Sequence, residues 1–277
     1  MDVADTFGAV EALRPVLAAR RRFTATIRGP LRSGKTTALA SIATEAAEQW
    51  GMSVVQFGLL ALAPADAHLL CRAVADTIEP GTSLEWFFRD DLAGTIAAVA
   101  YARSVGAIQV NNRHRRQAAA EFTARIKRAA GLTDSPADVA FLKCRHRDVL
   151  IIIELDQRAR VTGRSLAEIH SDQVARGARV PQAFSLVAEA ADFYAEFRHR
   201  ERLVDDGDVL AGALYPADDC PLVLVDEAQD VPPSAQAAVA RMFPRAALVA
   251  AGGPGGMIER LEADPATLRL QFPARDY

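Results

Sequence analysis

The residues best suited to chemistry lie in one run, Gly29-Pro30-Leu31-Arg32-Ser33-Gly34-Lys35-Thr36-Thr37, which fits the spacing G-x-x-x-x-G-K-[ST]. That spacing has a physical basis. A glycine-rich loop turns its backbone N–H groups round the phosphates of a nucleotide, Lys35 sets a compact positive charge against the outer phosphates, and the Thr36 hydroxyl reaches a Mg²⁺ ion. A second run, Asp226-Glu227-Ala228-Gln229-Asp230, follows the continuous apolar stretch Leu222-Val223-Leu224-Val225. Ligands of open α/β sheets bind beyond the carboxyl ends of the strands. There Asp226 would hold Mg²⁺ through its water shell, and Glu227 would be the general base for an attacking water. Each run also has a plainer explanation: a chance Gly-rich turn for the first, surface carboxylates capping the next helix for the second. Their joint occurrence, each after a strand pattern, favours the chemical reading.

These residues need a scaffold, and the flanking sequence predicts one. Residues 23–27 are β-branched and apolar, as a buried strand requires, and 36–43 read as a helix whose N-terminal dipole faces the anion. That helix runs to about Trp50, with Gly51 as its C-cap. Residues 9–22 read as an earlier helix containing Pro15, 53–57 as a second short strand, and Pro64 opens another helix. Strand–helix alternation of this kind implies a parallel sheet with helices on its faces. After Pro80-Gly81 the texture turns helical. Thr82 and Glu85 fit a capping box for a helix to about residue 105, Ser135-Pro136-Ala137-Asp138 marks another start, and Ser165-Leu166-Ala167-Glu168 a third. Residues 150–153 suit a strand in isolation but have helical flanks. Asp205, Asp206 and Asp208 suit a metal cluster or, as the favoured reading, a helix N-terminus. The parallel pattern returns with strands at 221–225 and 246–250 and a helix opened by Pro232-Pro233-Ser234. The expected organisation is therefore an α/β domain in two parts, 1–82 and 215–277, interrupted by a mainly helical insertion over 83–214.

Half of the 277 residues are apolar and the formal net charge is −3, so there is ample core and no global attraction to nucleic acid. Of 32 basic residues only three are Lys, at 35, 127 and 143. Cys71, Cys144 and Cys220 have no C-x-x-C spacing, which suggests neither a zinc site nor a disulfide framework. The acidic start lacks an apolar leader segment and no run is long enough to span a bilayer, so a cytoplasmic protein without membrane contact is expected. Arg113-His114-Arg115-Arg116, with Arg125, Lys127 and Arg128, forms a local basic cluster that suits either DNA or a solvated helix face. Trp86, Phe87 and Phe88 suit base stacking or a core.

The two runs together resemble the UvrD/Rep/PcrA group of superfamily-1 helicases. Gly29 to Thr37 matches its motif I, and Val225-Asp226-Glu227-Ala228-Gln229-Asp230 its motif II. A weaker likeness links residues 194–210 to the aromatic-then-acidic segment before motif II. The resemblance implies a RecA-like P-loop NTPase fold, ATP and Mg²⁺ as cofactors, and DNA as partner, with the helical block standing where the family inserts its 1B subdomain. It implies nucleotide contacts from Gly29, Arg32, Ser33, Gly34, Lys35, Thr36, Thr37 and Gln229, metal contacts from Thr36 and Asp226, and catalysis by Glu227 and Lys35. DNA contact would fall to Arg113, Arg115 and Arg116, and Gln229 with Asp230 would couple nucleotide state to the DNA surface.

The sequence departs from that family in several places. No Gln precedes Gln49, so the adenine-reading Gln upstream of motif I has no counterpart. The stretch matching motif III, Ala250-Ala251-Gly252-Gly253-Pro254-Gly255-Gly256, lacks the family's Asp and Gln. The second RecA-like domain, which supplies an arginine finger worth roughly 10³–10⁵ in turnover, would begin where this chain ends, so it or a partner protein would have to complete the motor. Two functions follow as expectations. One is a UvrD-like DNA-dependent ATPase module, weak in isolation. The other is a non-motor nucleotide-binding scaffold or switch derived from a helicase.

Overall fold

The structure is a computed structural model that describes residues 6–30, 32–53, 56–78, 92–104, 108–130, 144–212, 216–217 and 220–273. The chain separates into two compact units, residues 1–104 with 213–277, and residues 105–212.

The first unit is α/β. Its strands are β1 (Thr24–Arg28), β2 (Gly58–Ala61), β3 (Ala93–Thr95), β6 (Leu222–Val225), β7 (Ala247–Gly252) and β8 (Leu268–Gln271). They form one six-stranded sheet in the order β3-β2-β6-β7-β1-β8, with every pairing parallel. β6 is buried at all four positions, as an apolar strand covered on both faces must be. The first helices, α1 (Thr6–Ala18), α2 (Lys35–Trp50) and α3 (Pro64–Ile78), cover one face. There Leu13, Leu17, Leu39, Ile42 and Val74 pack on Ala25, Ile27, Leu222, Leu224 and Val249. The remaining helices of this unit are α4 (Ile96–Ala102), α10 (Pro233–Met242) and α11 (Gly256–Glu262); α11 packs on β1 and β7, and α10 on α4 and α11.

The second unit contains α5 (Asn112–Ala130), α6 (His146–Thr162), α7 (Leu166–Ala175), α8 (Phe184–Arg200) and α9 (Asp206–Ala211). A two-stranded parallel pair, β4 (Ile108–Gln109) and β5 (Leu203–Val204), accompanies them. Phe122, Ile152, Ile153, Val187, Tyr194 and Phe197 are at its core. The helix starts expected at Ser165 and in the Asp205–Asp208 segment both form, each closed by a capping box.

Several elements lie elsewhere than the sequence pattern suggests. The second strand is Gly58–Ala61, and of the expected strand 53–57 the described residues 53, 56 and 57 lie outside it. Phe57 is instead a core side chain set edge-on to Trp50 with ring centroids 5.8 Å apart. A short Gly-Leu-Leu-Ala run becomes a strand because it is sandwiched between β3 and β6, where pairing outweighs propensity. Within the span expected to be helical up to residue 105, residues 93–95 form the edge strand β3, and Thr95 then caps α4 by accepting from the Ala98 N–H. Thus 92–104 belong to the sheet unit, whereas the pattern had set the insertion at 83. Residues 150–153 are part of α6, because Val149, Ile152 and Ile153 bury one stripe at helical spacing. The Thr82–Glu85 box, Trp86, Phe87, Phe88 and the Ser135 helix start lie outside the described residues.

Candidate functional site

In a parallel sheet every strand delivers its carboxyl end to the same edge. β1 and β6 are separated only by β7, so the loops after them open side by side. The first loop leaves β1 at Gly29, whose N–H donates to the Gly252 carbonyl at 3.2 Å. A Cβ at Gly29 would stand 2.6 Å from Ser33 Oγ and 2.9 Å from Phe272 Cβ, so only glycine allows the loop to close. The turn is completed by left-handed backbone at Arg32 and Gly34. α2 starts directly afterwards, with Gly34 as a cap that has no side chain to offer and with no acid in its first turn. The first-turn N–H groups and the positive end of the helix dipole therefore face the loop without a side-chain acceptor.

Lys35 is 6 % exposed, and its Nζ donates to the carbonyls of Gly29 at 3.1 Å and Pro30 at 2.7 Å. Ser33 Oγ is buried without a partner, an orphan donor inside the loop. Arg32 and Thr37 are exposed, one on the loop and the other on the first turn of α2. Thr36 joins the two runs: its hydroxyl donates to Asp226 Oδ2 at 2.6 Å across 190 residues of sequence. Asp226 is 2 % exposed, and its other oxygen accepts from the Glu227 N–H at 3.0 Å. Burial raises the Asp226 pKa above the ordinary carboxylate value, with the Thr36 hydrogen bond and the Lys35 charge pulling the other way. Such a carboxylate lacks a full counter-charge and would gain from a cation.

Glu227 adopts left-handed backbone at φ 46° and starts a short 3₁₀ turn, Ala228–Asp230. A non-glycine residue held there carries strain of order 1 kcal/mol, a feature that clusters at functional sites. Gln229 holds the turn: its Nε2 donates to Glu227 Oε2 at 2.7 Å and Asp230 Oδ2 at 3.1 Å, while its Oε1 accepts from Gly253 N at 2.8 Å. The sequence reading connected Gln229 with a distant DNA surface, but its nearest task is to orient Glu227. Asp66, in the first turn of α3, escaped the sequence reading altogether. Burial raises its pKa, and the charges of Glu227 and Asp230 raise it further, so it belongs to the same acidic edge. Its one signal was an acid two residues after a helix-opening proline.

Among the described residues no group of three or more His, Cys, Asp or Glu side chains could enclose a metal. A Mg²⁺ ion bound by Thr36 and Asp226 would complete its octahedron with water and phosphate oxygens, its usual habit. The acceptors present and the orphan Ser33 hydroxyl fit a magnesium-bound phosphate. Thiol chemistry does not fit: all three cysteines are buried and unbridged, and burial pushes Cys71 up to about 12.

Gly252 to Gly256 underlie this turn. A Cβ at Gly252 would fall 2.3 Å from Gln229 Oε1, and one at Gly256, at φ +50°, 2.1 Å from the Gln229 carbonyl oxygen. Glycine at 252 and 256 thus permits a close backbone approach. Gly256→Ala should destabilise the first unit by at least about 2 kcal/mol. At Gly253 the nearest atom to a Cβ is Gln229 Cγ at 3.9 Å, so Gly253→Ala should be near neutral. Hydrogen exchange over residues 220–262 checks both, and equal protection in the two variants would refute the packing argument.

In the second unit Arg113 and Arg116 are exposed on α5, but Arg115 is half-buried and donates to Gln157 Oε1 at 2.8 Å. Arg125 pairs with Glu189 and Glu196 and lies over the Phe193 ring. Much of that cluster is therefore engaged within the unit. No helix of the described residues is long and apolar enough to cross a membrane. No family model matches the chain, and no curated protein matches it.

Proposed function

We propose that the first unit is a RecA-like P-loop domain that binds and hydrolyses Mg·ATP, the ATPase part of a UvrD-like DNA helicase acting in the cytoplasm. The observation that carries this reading is the 2.6 Å hydrogen bond from Thr36 to Asp226, which joins the two runs at one edge of the sheet. When bound, Mg·ATP supplies the reactive phosphoanhydride and a cation that neutralises developing charge. The loop N–H groups and the amino end of α2 bind phosphate oxygens, and Lys35 turns from its own loop carbonyls to them. Thr36 would hold the metal through its hydroxyl, and Asp226 through the metal's water shell. Gln229 fixes Glu227 Oε2, and Oε1 takes the proton of the attacking water. A second RecA-like domain, or a partner protein, would complete the motor, and DNA would bind with Arg113 and Arg116 contributing.

Lys35→Ala tests the nucleotide site. Affinity for a fluorescent ATP analogue should fall on the order of a hundredfold, which is about 2.7 kcal/mol. Unchanged affinity would remove the basis of the reading. The glycine stretch where motif III would stand favours the second reading, a nucleotide-binding switch without motor action. Tight ATP binding with no phosphate release, with or without single-stranded DNA, would select it.

A further inference from the structure

The opposite edge of the same sheet carries a second concentration of charge. Arg20, Arg21 and Arg22 enter β1, and Arg245 precedes β7, so all four stand at the amino ends of strands, away from the phosphate loop. With Trp50, Met52, Pro221 and Ala247 they line a concavity of about 210 Å³. Arg20 is anchored there by left-handed backbone at φ 50° and by donating from Nη2 to the Gln49 carbonyl at 2.7 Å. Two nearby arginines are paired: Arg14 meets Glu11 and Glu45, and Arg28 meets Glu262. Among the described residues none of the four lining this concavity forms an ion pair, and no carboxylate lines it. The four guanidinium groups are exposed, so water and salt screen their mutual repulsion, but together they give the hollow a positive potential that favours an anion between them.

The apolar wall narrows the choice of anion. Trp50 is 9 % exposed, its Nε1 donates to the Leu17 carbonyl at 2.7 Å, and its ring is fixed edge-on to Phe57. An indole held in this way offers no open face for base stacking. Recognition is then left to guanidinium forks, whose planar donors suit the oxygens of phosphate. We infer that this concavity is a second oxyanion site, of the phosphate class, distinct from the loop at Lys35.

The test uses the full chain carrying Lys35→Ala, so that the loop contributes little and failure of the ATPase reading does not affect the result. Inorganic phosphate is titrated at constant ionic strength with chloride as balance, and the thermal midpoint is followed. The midpoint should rise with phosphate, and adding Arg21→Ala with Arg245→Ala should weaken the apparent affinity at least tenfold. Arg21→Lys with Arg245→Lys should fall between, because the charge remains and the fork is lost. Competition by oligothymidylate identifies a nucleic-acid backbone as the source; lack of competition identifies free phosphate. An identical phosphate response with and without the two arginines overturns the site. So does phosphate binding that appears only after Asp218→Asn with Asp219→Asn, since the chain's own acids next to Cys220 would then be the anion.

Discussion

Glu227→Gln should lower phosphate release by roughly 10²–10⁴-fold, the usual contribution of a positioned general base, while ATP affinity stays within about threefold. The substitution keeps the size of the side chain. Gln229 Nε2 can donate to the new amide oxygen as it does to Glu227 Oε2, so the turn and its link to Gly253 survive. In the proposed site, binding would depend on groups this change leaves alone, namely the loop, Lys35, and the Thr36–Asp226 pair. An interaction made only in the transition state lowers turnover without raising the substrate constant, and that split identifies a base. Gln229→Ala should show a smaller loss of the same kind, because Glu227 remains but loses its orientation. Single-turnover phosphate release beside equilibrium binding of a non-hydrolysable analogue reads both quantities. A Glu227→Gln protein that releases phosphate within threefold of the parent rate would assign the proton to another group, with Asp66 and Asp230 the nearby acids.

What the sequence disclosed and what it concealed follow from range of interaction. The loop at Gly29–Thr37 is a local pattern whose geometry depends on its own glycines, and β6 is a continuous apolar run, so both were legible. The capping boxes at Ser165 and Asp205 are likewise set by residues three apart. β2 and β3 were misplaced because partners, not propensity, make them strands: Gly58 to Ala61 has no β-branched residue, and β3 has three residues including a glycine. Asp66 was invisible because nothing local distinguishes it from any acid in a first helical turn. Its significance arises from Glu227 and Asp230, more than 150 positions away in sequence. The same holds for the glycines at 252 and 256, whose need is set by the Gln229 backbone on another loop.

The second unit depends on a charge cluster whose loss should be the largest single stability effect in the chain. Arg160 clasps both oxygens of Asp205 at 2.8 and 2.6 Å, meets Asp156 at 2.9 Å and reaches Asp208 at 3.0 Å. Asp205 has 1 % of its side chain exposed and caps α9, and Arg198, itself 9 % exposed, pairs with Asp208 and lies over the Tyr194 ring. A Cβ at Gly207 would stand 2.5 Å from Arg160 Nη1, so glycine is what lets α9 close over the guanidinium. Arg160→Ala strands Asp156 and Asp205 with Arg198 alone, and should destabilise the unit by about 3 kcal/mol, the lower part of the 3–5 range for breaking a buried pair. The lower part applies because Arg160 retains 26 % exposure. The effect has a pH signature. Burial pushes Asp205 upward, but the hydrogen bonds and charge of Arg160 prevail and hold it below the usual carboxylate value. A depressed carboxylate stabilises the fold above its unfolded pKa of about 4, and that contribution is lost as pH falls through the folded value. Without Arg160 burial pushes Asp205 up, so the gap between parent and variant should be largest near neutral pH and shrink as pH falls from the raised folded pKa of the variant towards the depressed one of the parent. Hydrogen exchange over peptides from 144–212 reads this unit separately, which a two-unit chain requires. A loss under about 1 kcal/mol at neutral pH, or a gap that does not narrow in acid, would mean that apolar packing round Tyr194 and Phe197 holds α9 without the ion cluster.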